Sequence, residues 1–319
     1  MHHDGSVRAD SLGVLRWPRL APGDRVRLVS PASFPSEEGV RDLRGVLEGW
    51  GLGVEVADHA LDRWGFMAGR DSDRLHDLNE AFRDPGVRAV VATGGGAGAY
   101  RIAHAVDIDA VRADPKPVVG FSDITCLHLA LWRGCRLASV HGCLDGELAV
   151  RTARAILFGS EAVVLAQDPT SYTAQVLVPG RATGPLVGGN LSAMAHAAGA
   201  GLPSFDGSIM LLEDKRDIGL GRVDRQLTQL RDAGALDGVA GIALGLFTGF
   251  EGYQDRGWTL VDVLNDQLGS LGVPVLGGLV VGHNGTDHLG RPDQSCAPLG
   301  PSATLDTTAR TLTCGAAAV

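Results

Sequence analysis

From Arg25 onward short apolar runs alternate with amphipathic stretches, and no other feature constrains the fold as tightly: RVRLVSP, EEGVRDLRGVLEGWG, LGVEVA, RDSDRLHDLNEAFRD and VRAVVAT follow in that order. A short strand, an amphipathic helix and a second short strand form the βαβ unit, which when repeated builds a parallel sheet with helices against it. Two further strands are predicted at PVVGF and RLASVH. Between them lies DITCLHLALWRG, where Ile124, Leu127, His128 and Leu131 recur at helical spacing. After ELAVRTARAILFG the texture changes to short β-rich pieces, AVVLAQ, AQVLVPGRATGPLVGGN, SIMLLEDK, GIALGLFTG, VPVLGG and ATLDTTARTLTC, broken by the helix-like LSAMAHAAGA and RVDRQLTQLRDAG.

A chain of 319 residues usually divides into two domains. The expected organisation is a flexible tail over residues 1–20, an α/β domain with a parallel sheet over 21–150, a linker over 151–180 and a mixed β/α domain over 181–315. The 45 glycines and the 45% hydrophobic and 20% charged content suit a compact α/β protein with many tight turns. A net charge of -9 without a Lys/Arg cluster argues against nucleic acid, and none is expected as a partner. The opening MHHDGSVRADSLGVLRWPRL lacks the apolar core of a signal peptide, and no segment has the roughly 18 apolar residues of a membrane span, so a cytoplasmic protein without a membrane partner is expected. Five cysteines with no C-x-x-C pair point to reduced thiols, against a disulfide framework or a structural zinc.

Within VVGFSDIT, Ser122 stands where an apolar run gives way to an amphipathic one. It suits a helix N-cap, and it also suits a nucleophile presented on a strand-to-helix turn beside backbone N–H groups. The loop TGGGAGAYRI follows a strand as well, where its glycines serve a turn or offer N–H groups to an oxyanion or a substrate carboxylate. A dinucleotide fingerprint fits poorly, because the third glycine is missing and the loop follows the third strand, so no cofactor is expected.

A nucleophilic serine needs a histidine base and a carboxylate to orient it. Among the ten histidines, His2 and His3 fall in the tail, His59, His76, His104 and His128 in or beside amphipathic helices, and His196 on an Ala-rich helix. His141 ends a strand, and His283 lies between an apolar strand and a glycine-rich loop, free to project. His288 does not complete an i, i+4 pair with His283 and no third ligand is evident, so no metal is expected. Glu213 follows the apolar run Ile209–Leu212 and must be paired there, with Asp214 as its rival.

The blocks PGDRVRLVSPAS, AGRDSDRLHDLNEAFRDPGVRAVVATGGG, KPVVGFSDIT, SVHG, GPLVGGNLS, LLEDK, VDRQLTQLRDAG and VPVLGGLVVGHN run in order over most of residues 20–305. In them the chain resembles the LD-carboxypeptidase family of serine peptidases, which includes muramoyl-tetrapeptide carboxypeptidases and the self-immunity peptidases that inactivate microcin C. The resemblance implies Ser122 as nucleophile, His283 as base and Glu213 as orienter, with the capping and nucleophilic roles of Ser122 compatible. It also implies an oxyanion hole from the N–H groups of Gly95 and Asp123, and Gly94, Gly96 and Asn190 beside the substrate. The implied fold is an N-terminal parallel-sheet domain like that of class I glutamine amidotransferases, joined to a C-terminal mixed β/α domain, in a homodimer with its site in the groove between domains. The implied reaction releases terminal D-Ala from murein tetrapeptides. The alternatives are cleavage of a microcin-C-like aminoacyl nucleotide and a non-catalytic binding module on the same scaffold. Muropeptide-type members usually carry Arg-Gly-Gly-Tyr-Gly in the glycine loop, where this chain has Thr93-Gly94-Gly95-Gly96-Ala97-Gly98, and Cys143 replaces the proline that often follows His-Gly. Both differences fall near the substrate.

Overall fold

The computed structural model describes residues 12–217, 219–283 and 293–319. Its first sheet contains β1 (Arg25–Val29), β2 (Gly53–Val56), β3 (Val87–Ala92), β4 (Val118–Gly120) and β5 (Ser139–His141). These strands lie in the order β5-β4-β3-β1-β2 and pair in parallel throughout. Helices Glu37–Gly49, Asp71–Arg83 and Thr125–Cys135 are those read from the amphipathic stretches, whereas the short Ala99–Ile102 and Ile108–Ala113 between β3 and β4 were not anticipated. Glu37–Gly49 begins at Ser36, whose side chain accepts the Gly39 N–H, and carries Glu37 and Glu38 in its first turn, where a negative charge favours the helix dipole. Leu28, Val29, Val90 and Val91 are all buried, as continuous apolar strands are when helices cover both faces.

The second sheet contains β6 (Val163–Ala166), β7 (Leu177–Val178), β8 (Arg181–Asn190), β9 (Ile209–Lys215), β10 (Gly241–Thr248) and β11 (Val275–Leu276). After β12 (Ala297–Leu299), it is completed by β13 (Ser302–Asp306) and β14 (Thr311–Cys314). Its order is β6-β14-β13-β8-β9-β10-β11-β7. The central β8 to β11 run parallel and the flanking strands antiparallel.

Three features tie the expected segments to one another. First, β12 leaves the C-terminal half and pairs antiparallel with β5, placing Ala297 opposite His141 and covering the open edge of the first sheet. Second, residues 12–20 pack instead of forming a free tail: Val14 and Trp17 are fully buried, with Leu15 bridged to Leu137 and Trp17 to Ala318. Residues 1–11 lie outside the described residues. Third, the expected linker carries the end of the Glu147–Phe158 helix together with β6 and β7, which occupy opposite edges of the second sheet. Its Ile156, Leu157 and Leu165 are core residues, so this segment fastens the two halves together.

A contiguous hydrophobic cluster runs from Val26 and Leu28 of the first sheet through Leu129, Trp132 and Leu191 to Met210 and Leu212 of the second. The carboxyl ends of β4 and β9 open toward the same cleft, where α/β proteins place their ligands.

Candidate active site

Ser122 follows β4 by two residues and has φ +61°. A non-glycine residue in this left-handed region is strained, and the strain lifts its side chain out of the turn. The chain closes into a short 3-10 turn over Ser122–Ile124 and continues as the helix Thr125–Cys135. Two glycines leave room for this turn: a Cβ on Gly120 would stand 2.7 Å from Ile124 Cγ2, and one on Gly95 would stand 2.7 Å from Ser122 Cβ. Ser122 caps neither helical segment with its side chain, contrary to the expected double role. The Phe121 carbonyl takes the Ile124 N–H, and the Ser122 and Asp123 carbonyls take that of Thr125. The hydroxyl is left to meet His283, with Oγ 3.0 Å from Nε2.

His283 stands beyond β11, past the turn at Gly282. Its Nδ1 lies 2.6 Å from Glu213 Oε2, and its backbone N–H donates to the same oxygen at 3.0 Å. Glu213 is fully buried on β9. Successive strand residues point to opposite faces, and this separates Glu213 from Asp214. The Asp214 carboxylate accepts from the N–H and hydroxyl of Ser192, from the Asn190 amide and from the Lys215 N–H, so it organises the start of the Leu191–Ala197 helix. Burial opposes a charge on His283, but the hydrogen bond and negative charge of Glu213 outweigh it and hold the imidazole above its ordinary pKa. The Phe121 ring lies 5.0 Å from that of His283, centroid to centroid.

His141, the other strand-end histidine, is fully buried on the far side of Glu213, with Nε2 3.7 Å from Oε1. Its ring does not meet Ser122. Burial, reinforced by neighbouring His128 and His283, holds it well below the ordinary imidazole pKa.

The glycine loop reaches the serine through Gly95. The Asp123 carboxylate accepts the Ala99 N–H at 2.7 Å and so ties the serine turn to the helical turn that ends the loop. Burial raises the Asp123 pKa, with the N–H groups of Ala99 and Gly98 opposing the rise. The N–H of Asp123 belongs to the first turn of its helical segment, where such groups have no partner inside the helix. On Gly96 (φ +101°) any Cβ would collide with Ser33, whose hydroxyl accepts the Ala97 N–H.

Residues 26–142 match the LD-carboxypeptidase N-terminal domain and residues 183–304 the C-terminal domain of the same family. The chain belongs to the LD-carboxypeptidase family. It is 40% identical over 284 residues to a Streptomyces coelicolor protein named as a carboxypeptidase, covering 85% of this chain and 88% of that one. It is 30% identical over 272 residues to the murein tetrapeptide carboxypeptidase of Pseudomonas aeruginosa, covering 81% and 88% of the respective chains. Among solved structures, a protein like the microcin immunity protein MccF, from Bacillus anthracis, superposes with a TM-score of 0.81 at 24% identity, over 94% of this chain and 99% of that one.

In this LD-carboxypeptidase a cavity of about 770 Å³ opens over Ser122, Asp123 and His283. Gly96 and Asn190 line it, whereas Gly94 faces a neighbouring cavity of about 890 Å³ on the other side of Phe121. The Asn190 carboxamide accepts the Ala193 N–H and donates one N–H to Asp214, so it caps a helix at the cavity wall. Sequence reasoning missed the basic side chains that line the cavity, Arg133, Lys215 and Arg222, and the imidazole of His196 beside them. Lys215 could have been suspected from its place two residues beyond Glu213, but His196 and Arg222 carried no local signal. Cys126 also lines the cavity, yet burial pushes its thiol up to about 12, which disqualifies it as a nucleophile. All five cysteines are free. Among the described residues no cluster of three or more His, Cys, Asp or Glu is arranged to hold a metal, and no helix is long and apolar enough to cross a membrane. His288 lies outside the described residues.

Proposed function

We propose that the protein is a serine LD-carboxypeptidase that hydrolyses the L,D-peptide bond releasing terminal D-alanine from murein tetrapeptides. The reading rests above all on the line Ser122 Oγ to His283 Nε2 at 3.0 Å and His283 Nδ1 to Glu213 at 2.6 Å, set in the floor of a large cavity. Murein tetrapeptides are rich in carboxylates, and a carboxypeptidase must hold a free terminal one, a task suited to the lining cations Arg133, Lys215 and Arg222.

In this reading His283 takes the proton from Ser122 as Oγ attacks the carbonyl between the L-centre of the diamino acid and D-Ala. The N–H groups of Gly95 and Asp123 hold the oxyanion, at about 3–4 kcal/mol of transition-state stabilisation per donor. The imidazolium, stabilised by Glu213, gives its proton to the leaving D-Ala amine. Neutral His283 then activates water against the acyl-enzyme.

The proposal includes the likeness of the N-terminal half to class I glutamine amidotransferases, supported by the parallel strand order and the serine turn after β4. It also includes the division into nucleophile and C-terminal domains, a cytoplasmic location and the homodimer expected of the family. The substrate is tested by incubating the protein with a diaminopimelate-type tetrapeptide and, separately, with an aminoacyl sulfamoyl adenosine. Release of D-alanine from the first is the expected result. Cleavage of the nucleotide alone would move the same catalytic residues to the immunity-type substrate.

A further inference from the structure

Glu213 has no exposed surface, yet one of its oxygens is left over. Oε2 receives two donors from His283, while Oε1 has no hydrogen-bond partner among the described residues. A buried carboxylate oxygen without a donor is costly, so its surroundings should hold one. The His141 Nε2 lies 3.7 Å away, and both ring nitrogens of this fully buried histidine also lack a hydrogen-bond partner among the described residues. Closing that gap to a normal hydrogen bond takes a shift of roughly 0.8 Å.

We propose that His141 is a positioning residue for hydrolysis, its Nε2–H donating to Glu213 Oε1 so that the carboxylate is held in the plane that serves His283. The inference rests on the functional reading given above. The ring is confined on its other sides by the Phe121 ring at 6.4 Å, the His128 ring at 6.2 Å and the backbone of Gly189. A Cβ on Gly189 would stand 2.6 Å from Thr125 Oγ1 and 3.1 Å from His141 Nδ1, so only glycine lets the backbone pass this close to the ring. The Thr125 hydroxyl accepts the Asn190 N–H, and a neutral imidazole carries its one proton on either nitrogen, so the tautomer with the proton on Nε2 faces Glu213 with a donor. His128 is occupied elsewhere, its Nε2 bonded to the Gly120 carbonyl at 2.9 Å. The neutrality of His141 is useful here. A lysine or arginine at this place would cancel the charge on Glu213, whereas a neutral N–H fixes the carboxylate and leaves its charge for the imidazolium that forms on His283.

The bond is read directly by proton NMR of protein labelled with 15N-histidine. Two downfield ring protons are expected, from His283 Nδ1 and His141 Nε2, and Glu213→Gln should move both. A His141 signal unmoved by Glu213→Gln would overturn the proposal. In D-alanine release, His141→Leu should lower kcat by about 10- to 100-fold, the range typical of residues that orient a reacting group through another, with KM changed less than twofold. His141→Gln, whose amide N–H reaches the same place, should recover most of the loss. A folded His141→Leu protein with kcat within twofold of the parent, or a His141→Gln no better than His141→Leu, would contradict it. If the parent releases no D-alanine the functional reading fails, while the NMR result still decides whether the bond exists.

Discussion

At the scale of single residues, Glu213 and Asp214 are neighbours that do different work. Their order in LLEDK was readable, but which one met the histidine was decided by strand alternation and by the Ser192 and Asn190 donors around Asp214. Asp214→Ala should therefore cost stability, about 1–3 kcal/mol from the buried N–H groups it leaves unpaired, seen as a lowered denaturant midpoint. Glu213→Gln should leave the midpoint nearly unchanged and lower kcat by roughly 10⁴-fold, as expected when the orienting carboxylate is lost. The pH profile expected of the proposed mechanism follows from His283, which as the proposed base must be neutral and whose pKa lies above the ordinary value because of Glu213. The acid limb of kcat/KM should thus have its midpoint above roughly pH 6.5, with activity lost as pH falls through it. Weakening the carboxylate with Glu213→Gln should move that midpoint down, and an unmoved midpoint would assign the limb to another group.

At the scale of elements, the strand-to-helix turn after β4 and the glycine loop form one device, because Gly95 packs directly on Ser122. A Cβ at Gly95 would press on Ser122 Cβ, so Gly95→Ala should lower kcat by about 100-fold or more, in the range of losing an oxyanion donor. Its circular dichroism should match that of the parent. The βαβ rhythm made the first sheet legible, and the apolar run before Glu213 made β9 legible. Less was visible elsewhere. The helix Leu260–Leu268 was missed although its capping box, Thr259 with Asp262, is local. The strand β12 was missed because three residues that include Pro298 give no alternation, and its partner β5 is remote in sequence. The His141–Glu213 approach was illegible for the same reason, since it joins the ends of strands from different sheets.

At the scale of the whole molecule, the proposed catalytic line crosses the boundary between the sheets: Ser122 comes from the first, Glu213 from the second, and His283 from the segment after β11. The halves are held in register by the core cluster they share, by β12 crossing to the first sheet and by Trp17 packed beside the C-terminus. Residues 21–150 expressed alone should therefore be aggregation-prone or poorly folded, and the intact chain should unfold in one calorimetric transition. Two separated transitions would show that the halves are stable independently. The central claim, a serine hydrolase assembled across that boundary, is tested most directly by D-alanine release from the tetrapeptide with the parent and Ser122→Ala proteins side by side. The account predicts release by the parent and none above background by a folded Ser122→Ala protein. Release by Ser122→Ala at the parent rate would contradict it.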